Sequence, residues 1–158
     1  GLIRNHYIGR TFIQPGQEKR EVKVRMKFNT VKGVIEGRKV VIIDDSIVRG
    51  TTSRLLINLI REANPKELHV RISSPPIMSH CPYGMDFPSR EELIAQQCGG
   101  DVERIREDIG ADTLGYLSID KMLGTVSHEG RLGYCTGCFT GQYPVPPEEN
   151  MRKEDLEA

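Results

Sequence analysis

The chain lacks tryptophan, and neither sign of charge prevails, since 22 lysines and arginines face 22 aspartates and glutamates. That balance leaves no basic surface of the kind that holds nucleic acid or another polyanion. No apolar run approaches the roughly 20 residues that a helix needs to cross a bilayer, and no signal peptide is visible. A protein of the cytoplasm, away from membranes, is the expectation. Cysteine is scarce: four residues among 158 make no disulfide scaffold. In a reducing compartment a Cys-x-x-Cys pair then points to metal or redox use. Internal repeats are absent. So is an initiator methionine, and Gly1-Leu2-Ile3-Arg4-Asn5 enters loop-like sequence at once, as expected of a fragment.

What is present alternates between two periods. Gln14-Pro15-Gly16-Gln17 signals a turn, and the charged stretch 18–28, with Val22, Val24, Met26 and Phe28 interleaved, fits strand or helix equally. Val40–Ile43, four β-branched residues in a row, reads as a buried parallel strand. Thr51–Ala63 carries Leu55, Leu56, Leu59, Ile60 and Ala63 on one helical face and stops at Asn64-Pro65. Glu67–Ser73 alternates as a second strand, which completes a β-α-β unit. Prolines mark 75–88 as loop. Ser89 and Glu92 are spaced as a capping box for a helix Glu91–Gln97, and Asp101 caps another with Val102, Ile105 and Ile109 in register. Thr113–Leu117 reads as a strand and Ser118–Leu123 as one or two helical turns. The sequence after Gly124 is rich in glycine and proline, and residues 146–158 form a charged tail. Alternating strands and helices predict an α/β fold with a mainly parallel sheet flanked by helices.

The strongest chemical signal follows Val40–Ile43. Asp44 and Asp45 stand at the carboxyl end of that strand, where open α/β sheets place their ligands. Adjacent carboxylates repel each other, and cations or hydroxyl donors must satisfy them. Ser46-Ile47-Val48-Arg49-Gly50-Thr51-Thr52 then leads into a helix start. Gly50 allows a tight turn there, and freed amides, hydroxyls and the helix dipole can surround a phosphate. Plain N-capping is the alternative for such a pair. A ribose phosphate, with vicinal hydroxyls and a 5′-phosphate, would satisfy both halves of the motif.

Residues 40–53 resemble the phosphoribosyl pyrophosphate (PRPP) motif of type I phosphoribosyltransferases. The wording Asp44-Asp45-Ser46-Ile47-Val48-Arg49-Gly50-Thr51-Thr52 is most similar to the amidophosphoribosyltransferases, which open purine biosynthesis. Arg4-Asn5-His6-Tyr7-Ile8-Gly9-Arg10-Thr11-Phe12-Ile13, Ser74-Pro75-Pro76-Ile77, Tyr83-Gly84-Met85-Asp86, Glu92-Leu93-Ile94-Ala95 and Ile109-Gly110-Ala111-Asp112 agree with it, and the likeness spans about 1–145. It implies the C-terminal portion of a type I phosphoribosyltransferase domain, incomplete at its N-terminus. It also implies roles. Asp44 and Asp45 would hold the ribose hydroxyls with Mg²⁺ nearby. Ser46 and Val48, Arg49, Gly50, Thr51 and Thr52 would wrap the 5′-phosphate. Residues 1–27 would form the family's flexible loop, with Arg4, Tyr7 and Arg10 meeting the pyrophosphate. The implied partners are PRPP, a glutaminase domain and further copies in a homo-oligomer.

The family's glutaminase uses an amino-terminal cysteine, whereas the first cysteine here is Cys81, so this chain would not release ammonia from glutamine in that way. Some members carry a structural [4Fe–4S] cluster. Cys81, Cys135 and Cys138 stand where three of its ligands would be, the fourth lying outside this chain; the same thiolates would take Zn²⁺. Cys98 falls outside that pattern. His6 belongs to the loop region, while His69, His80 and His128 read as structural or solvent-facing. A PRPP-sensing module without transfer activity, and a salvage transferase acting on a free base, are the other readings. The loop arginines oppose the first; the cysteine trio opposes the second.

Overall fold

A computed structural model describes residues 1–5, 28–83, 90–126 and 133–145. The stretch 18–28, which fits strand or helix equally, therefore lies outside it except for Phe28, as do Ser89 and the tail 146–158. Strands β1 (Leu2–Arg4) and β2 (Phe28–Thr30) form an antiparallel pair that joins the two ends of the first 30 residues. Short helix α1 (Lys32–Ile35) follows, and its Ile35 plugs into the core.

Three strands make a parallel sheet in the order β3 (Lys39–Asp44), β4 (Glu67–Ile72) and β5 (Thr113–Tyr116). Helix α2 (Thr51–Arg61) connects β3 to β4, as the expected β-α-β unit requires. It buries Ile57, Leu59 and Ile60, and the chain leaves it through Asn64, which sits at φ 57°. Asparagine tolerates that left-handed conformation better than most residues. Helix α4 (Val102–Ile109) packs beside α2 and β5, with Ile105 and Ile109 fully buried. Asp101 caps it by accepting from the Glu103 and Arg104 amides. Each buried Ile or Leu contributes about 1.5–3 kcal/mol relative to an exposed one, and Leu68, Val70 and Ile72 of β4 sit at the centre of this cluster.

Two expectations are corrected. The strand Val40–Ile43 is parallel but not buried on both sides. Val40 and Ile42 turn toward the helices, whereas Val41 and Ile43 remain 58% and 77% exposed. Among the described residues no element covers the face on which Val41, Ile43, His69 and Arg71 stand. The helix Glu91–Gln97 is also interrupted. A 3₁₀ turn (Arg90–Glu92) and helix α3 (Ile94–Gln97) flank Leu93, which is extended at ψ 119°. The break has a cause: the Ile94 amide donates outward to the Val48 carbonyl at 2.9 Å.

Helix α5 (Ile119–Val126) runs further than the expected 118–123, and α6 (Gly137–Thr140) arises in sequence that reads as loop. Both ends of β3 are tied to β4 by polar groups. Lys39 Nζ lies 2.8 Å from Glu67 Oε1, and the Ser73 amide donates to the Asp44 carbonyl at 3.0 Å.

Candidate functional site

Asp44 ends β3 on the helix-facing side of the sheet, where its carboxylate borders a small apolar pocket lined by Ile42, Leu56, Ile57 and Val70. Burial pushes this carboxyl above its ordinary value; the Asp45 amide, donating to Asp44 Oδ1 at 3.0 Å, pulls the other way, and the Asp45 charge adds to the rise. Asp45 accepts from Ser46 Oγ at 2.9 Å. Neither carboxylate has an ion-pair partner among the described residues. Such a pair suits a hard cation that keeps most of its own water and shares its ligands with a phosphate. Among the described residues no three acidic, His or Cys side chains close on one point, so the protein alone forms no complete cage. A groove of about 410 Å³ opens at the same edge of the sheet, lined by Ile43, Arg71, Ser73 and Leu117 among others.

From Asp45 the chain turns through Ser46–Gly50 into α2. Gly50 stands at φ 71°, and a Cβ there would overlap Ile94 Cδ1, so both conformation and space require glycine. No side chain caps the first turn of α2. The amides of its opening residues point along the helix axis without intrahelical acceptors, and the helix dipole makes that end attractive to an anion. Thr51 and Thr52 are the first residues of this turn, while the Ser46 hydroxyl donates to Asp45. Arg49 does not join them: its Nη2 lies 3.3 Å from Glu92 Oε2, and its Nε is buried without a partner. Arg54, one turn into α2, is held by Asp108 of α4 at 2.5 Å.

A second group forms near the C-terminal end. The carbonyl of Cys138 accepts from the Met78 and Ser79 amides at 2.8 and 2.9 Å, which docks α6 onto the segment before Cys81. The Tyr143 ring packs over Gly137, where no Cβ would fit, and meets Tyr83 edge-on with centroids 5.7 Å apart. Burial raises the Cys138 thiol above its usual range, and the Cys81 and Cys135 thiols add to the rise. Among the described residues these three thiols do not close on one point as a metal site. Cys98 lies apart, with the Arg54–Asp108 pair among the charges acting on it.

The structure therefore brings together Asp44, Asp45, Ser46, Val48, Gly50, Thr51 and Thr52, with Arg49 turned toward Glu92. The three expected cysteines form no metal-holding group among the described residues. Arg4 stands in β1 opposite Phe28; Tyr7 and Arg10 lie outside the described residues. Two residues beside the site, Glu92 and Ile94, have no site role in the sequence reading. Glu92 reads there as a capping residue, and nothing local links it to a loop 43 positions earlier.

No protein-family model matches the chain. It is 52% identical over 153 residues to the chloroplastic amidophosphoribosyltransferase of Glycine max, covering 97% of this chain and 26% of that protein. With the amidophosphoribosyltransferase of Bacillus subtilis it shares 54% over 148 residues, 92% of this chain and 31% of the relative. A solved structure of the B. subtilis glutamine PRPP amidotransferase, in complex with ADP and GMP, superposes with a TM-score of 0.79 at 50% identity, over 99% of this chain and 34% of that one. The chain is homologous to part of the amidophosphoribosyltransferases. It spans about a quarter to a third of the length of these amidophosphoribosyltransferases. The parallel sheet with its flanking helices is the phosphoribosyltransferase-like fold of that family. Among the described residues no helix is long and apolar enough to cross a membrane.

Proposed function

We propose that this chain is the PRPP-binding portion of an amidophosphoribosyltransferase, which converts PRPP and ammonia to 5-phosphoribosylamine and pyrophosphate. One observation carries the reading: a carboxylate pair with no ion-pair partner among the described residues stands at the end of a parallel strand, and a short loop leads from it to an uncapped helix start that can bind phosphate. Amides and hydroxyls from Ser46 to Thr52 hold the 5′-phosphate, and Asp44 and Asp45 accept from the ribose hydroxyls. With the sugar gripped at both ends, its C1 is presented to ammonia, whose lone pair displaces pyrophosphate. As the C1–O bond breaks, positive charge grows on the ribose and negative charge on the leaving group. Arg4, Tyr7 and Arg10 are the residues we assign to the pyrophosphate, with residues 1–27 excluding water from the reacting sugar. Asp44 and Asp45 would hold Mg²⁺, which supplies charge neutralisation on the pyrophosphate.

Ammonia would come from a glutaminase domain of the same longer protein, working as a homo-oligomer in the cytoplasm. Cys81, Cys135 and Cys138 would hold a structural [4Fe–4S] cluster with one ligand from elsewhere; its chemistry is to clamp α6 against the 78–83 segment. Iron and sulfide analysis of anaerobically purified protein tests this, and zinc without iron rejects it.

Calorimetry of PRPP with Mg²⁺ tests the core reading. Binding that is lost in Asp44→Asn with Asp45→Asn, and pyrophosphate release that depends on ammonia, are the expected results. Pyrophosphate release that ignores ammonia would reject the transferase.

A further inference from the structure

The phosphate loop is held from behind by residues more than 40 positions downstream. Val48 accepts from the Ile94 amide at 2.9 Å, and Gly50 lies directly on the Ile94 side chain. Ile94 and Ile47 are almost wholly buried in one cluster. Arg49, between Val48 and Gly50, reaches Glu92 at 3.3 Å. We infer that Glu92 is a positioning residue for the PRPP loop: it holds the Arg49 guanidinium away from the phosphate, so that the loop amides and not this side chain form the cradle. The inference rests on the PRPP reading above.

An exposed ion pair by itself stabilises little. This pair differs in three respects. The Arg49 Nε is buried and has no partner, so Glu92 is the acceptor that orients the guanidinium. The pair also flanks the Val48–Ile94 bond, so the loop is gripped on consecutive residues. Finally, the interruption at Leu93 exists in a form that aims the Ile94 amide outward and leaves Glu92 in the preceding turn. A continuous helix would place neither group on the loop.

The test compares wild type with Glu92→Gln and Glu92→Asp by calorimetry with PRPP and Mg²⁺, thermal unfolding, and hydrogen exchange of the 46–52 amides. Glu92→Gln should weaken PRPP binding about fivefold and speed exchange in the loop while the unfolding temperature stays near that of wild type. Glu92→Asp should restore most of the affinity. Wild-type affinity in Glu92→Gln overturns the inference, as does a loss that merely follows unfolding and is not rescued by Asp. Tighter binding overturns it too, because Arg49 would then be a phosphate ligand that Glu92 competes for. A wild type that binds no PRPP, with exchange still faster in Glu92→Gln, rejects the cradle reading and leaves the clamp in place.

Discussion

Gly50 and Ile94 share a space that holds only one side chain: a Cβ on the glycine would overlap Ile94 Cδ1. Gly50→Ala must therefore strain a backbone at φ 71° and also displace a buried isoleucine. A loss of about 2–5 kcal/mol is expected from these two effects together. Ile94→Ala alone should cost a similar amount through its cavity. The double variant should lose less than the sum of the two, since it relieves the overlap. Urea unfolding of all four proteins measures this.

Asp44→Asn should separate binding from stability. Burial makes the Asp44 charge unfavourable in the folded state at neutral pH, and asparagine keeps the acceptor for the Asp45 amide. The unfolding midpoint should hold or rise slightly. Affinity for PRPP with Mg²⁺ should fall at least about tenfold. A lower midpoint would show that the carboxylate has a structural partner.

Asp112 predicts a pH dependence. It pairs with Arg61 at 3.0 Å and accepts from the Leu68 amide. The Arg61 pair, followed by that amide, lowers its carboxyl below the ordinary 3.8. A group depressed in the folded state stabilises above its unfolded value and loses that contribution as pH falls through the folded one. Asp112→Asn should thus cost about 1 kcal/mol at neutral pH, after allowance for solvent screening. The gap should close at pH values below the ordinary carboxylate range. Melting curves from neutral pH down to strong acid follow it.

Gly137→Ala should loosen the cysteine segment, because the Tyr143 ring occupies the space of the new methyl. In metal-free protein Cys138, raised by burial, should react with iodoacetamide more slowly than exposed Cys135. The variant should shorten that lag severalfold. Peptide mass mapping of the alkylated thiols gives both rates.

Elements with a clean period were legible in the sequence. Helices α2 and α4 and strand β4 display their buried faces at helical or alternate spacing, and Asp101 announces its cap. Strand β3 was legible as a strand but not in its covering, since four apolar residues in succession look the same whether one face is covered or both. The motif from Asp44 to Thr52 was readable because its parts are adjacent in the chain. Glu92 and Ile94 were not, because their role arises when distant segments pack. Helix α6 was hidden for the same reason. Its Gly137 looks like loop chemistry until Tyr143 lies across it.

The uniform run Val40-Val41-Ile42-Ile43 leaves β3 without a built-in ruler. Sliding it by one residue along β4 would exchange one pair of apolar side chains for a nearly equivalent pair, so burial hardly distinguishes the two alignments. Aspartate 44 would then face the opposite side of the sheet. What opposes the slip is polar and sits at the strand's extremities, Lys39 against Glu67 at one end and Ser73 against the Asp44 carbonyl at the other. The aim of the carboxylate pair thus depends on two end stops, one of them about 17 Å from Asp44 along the strand.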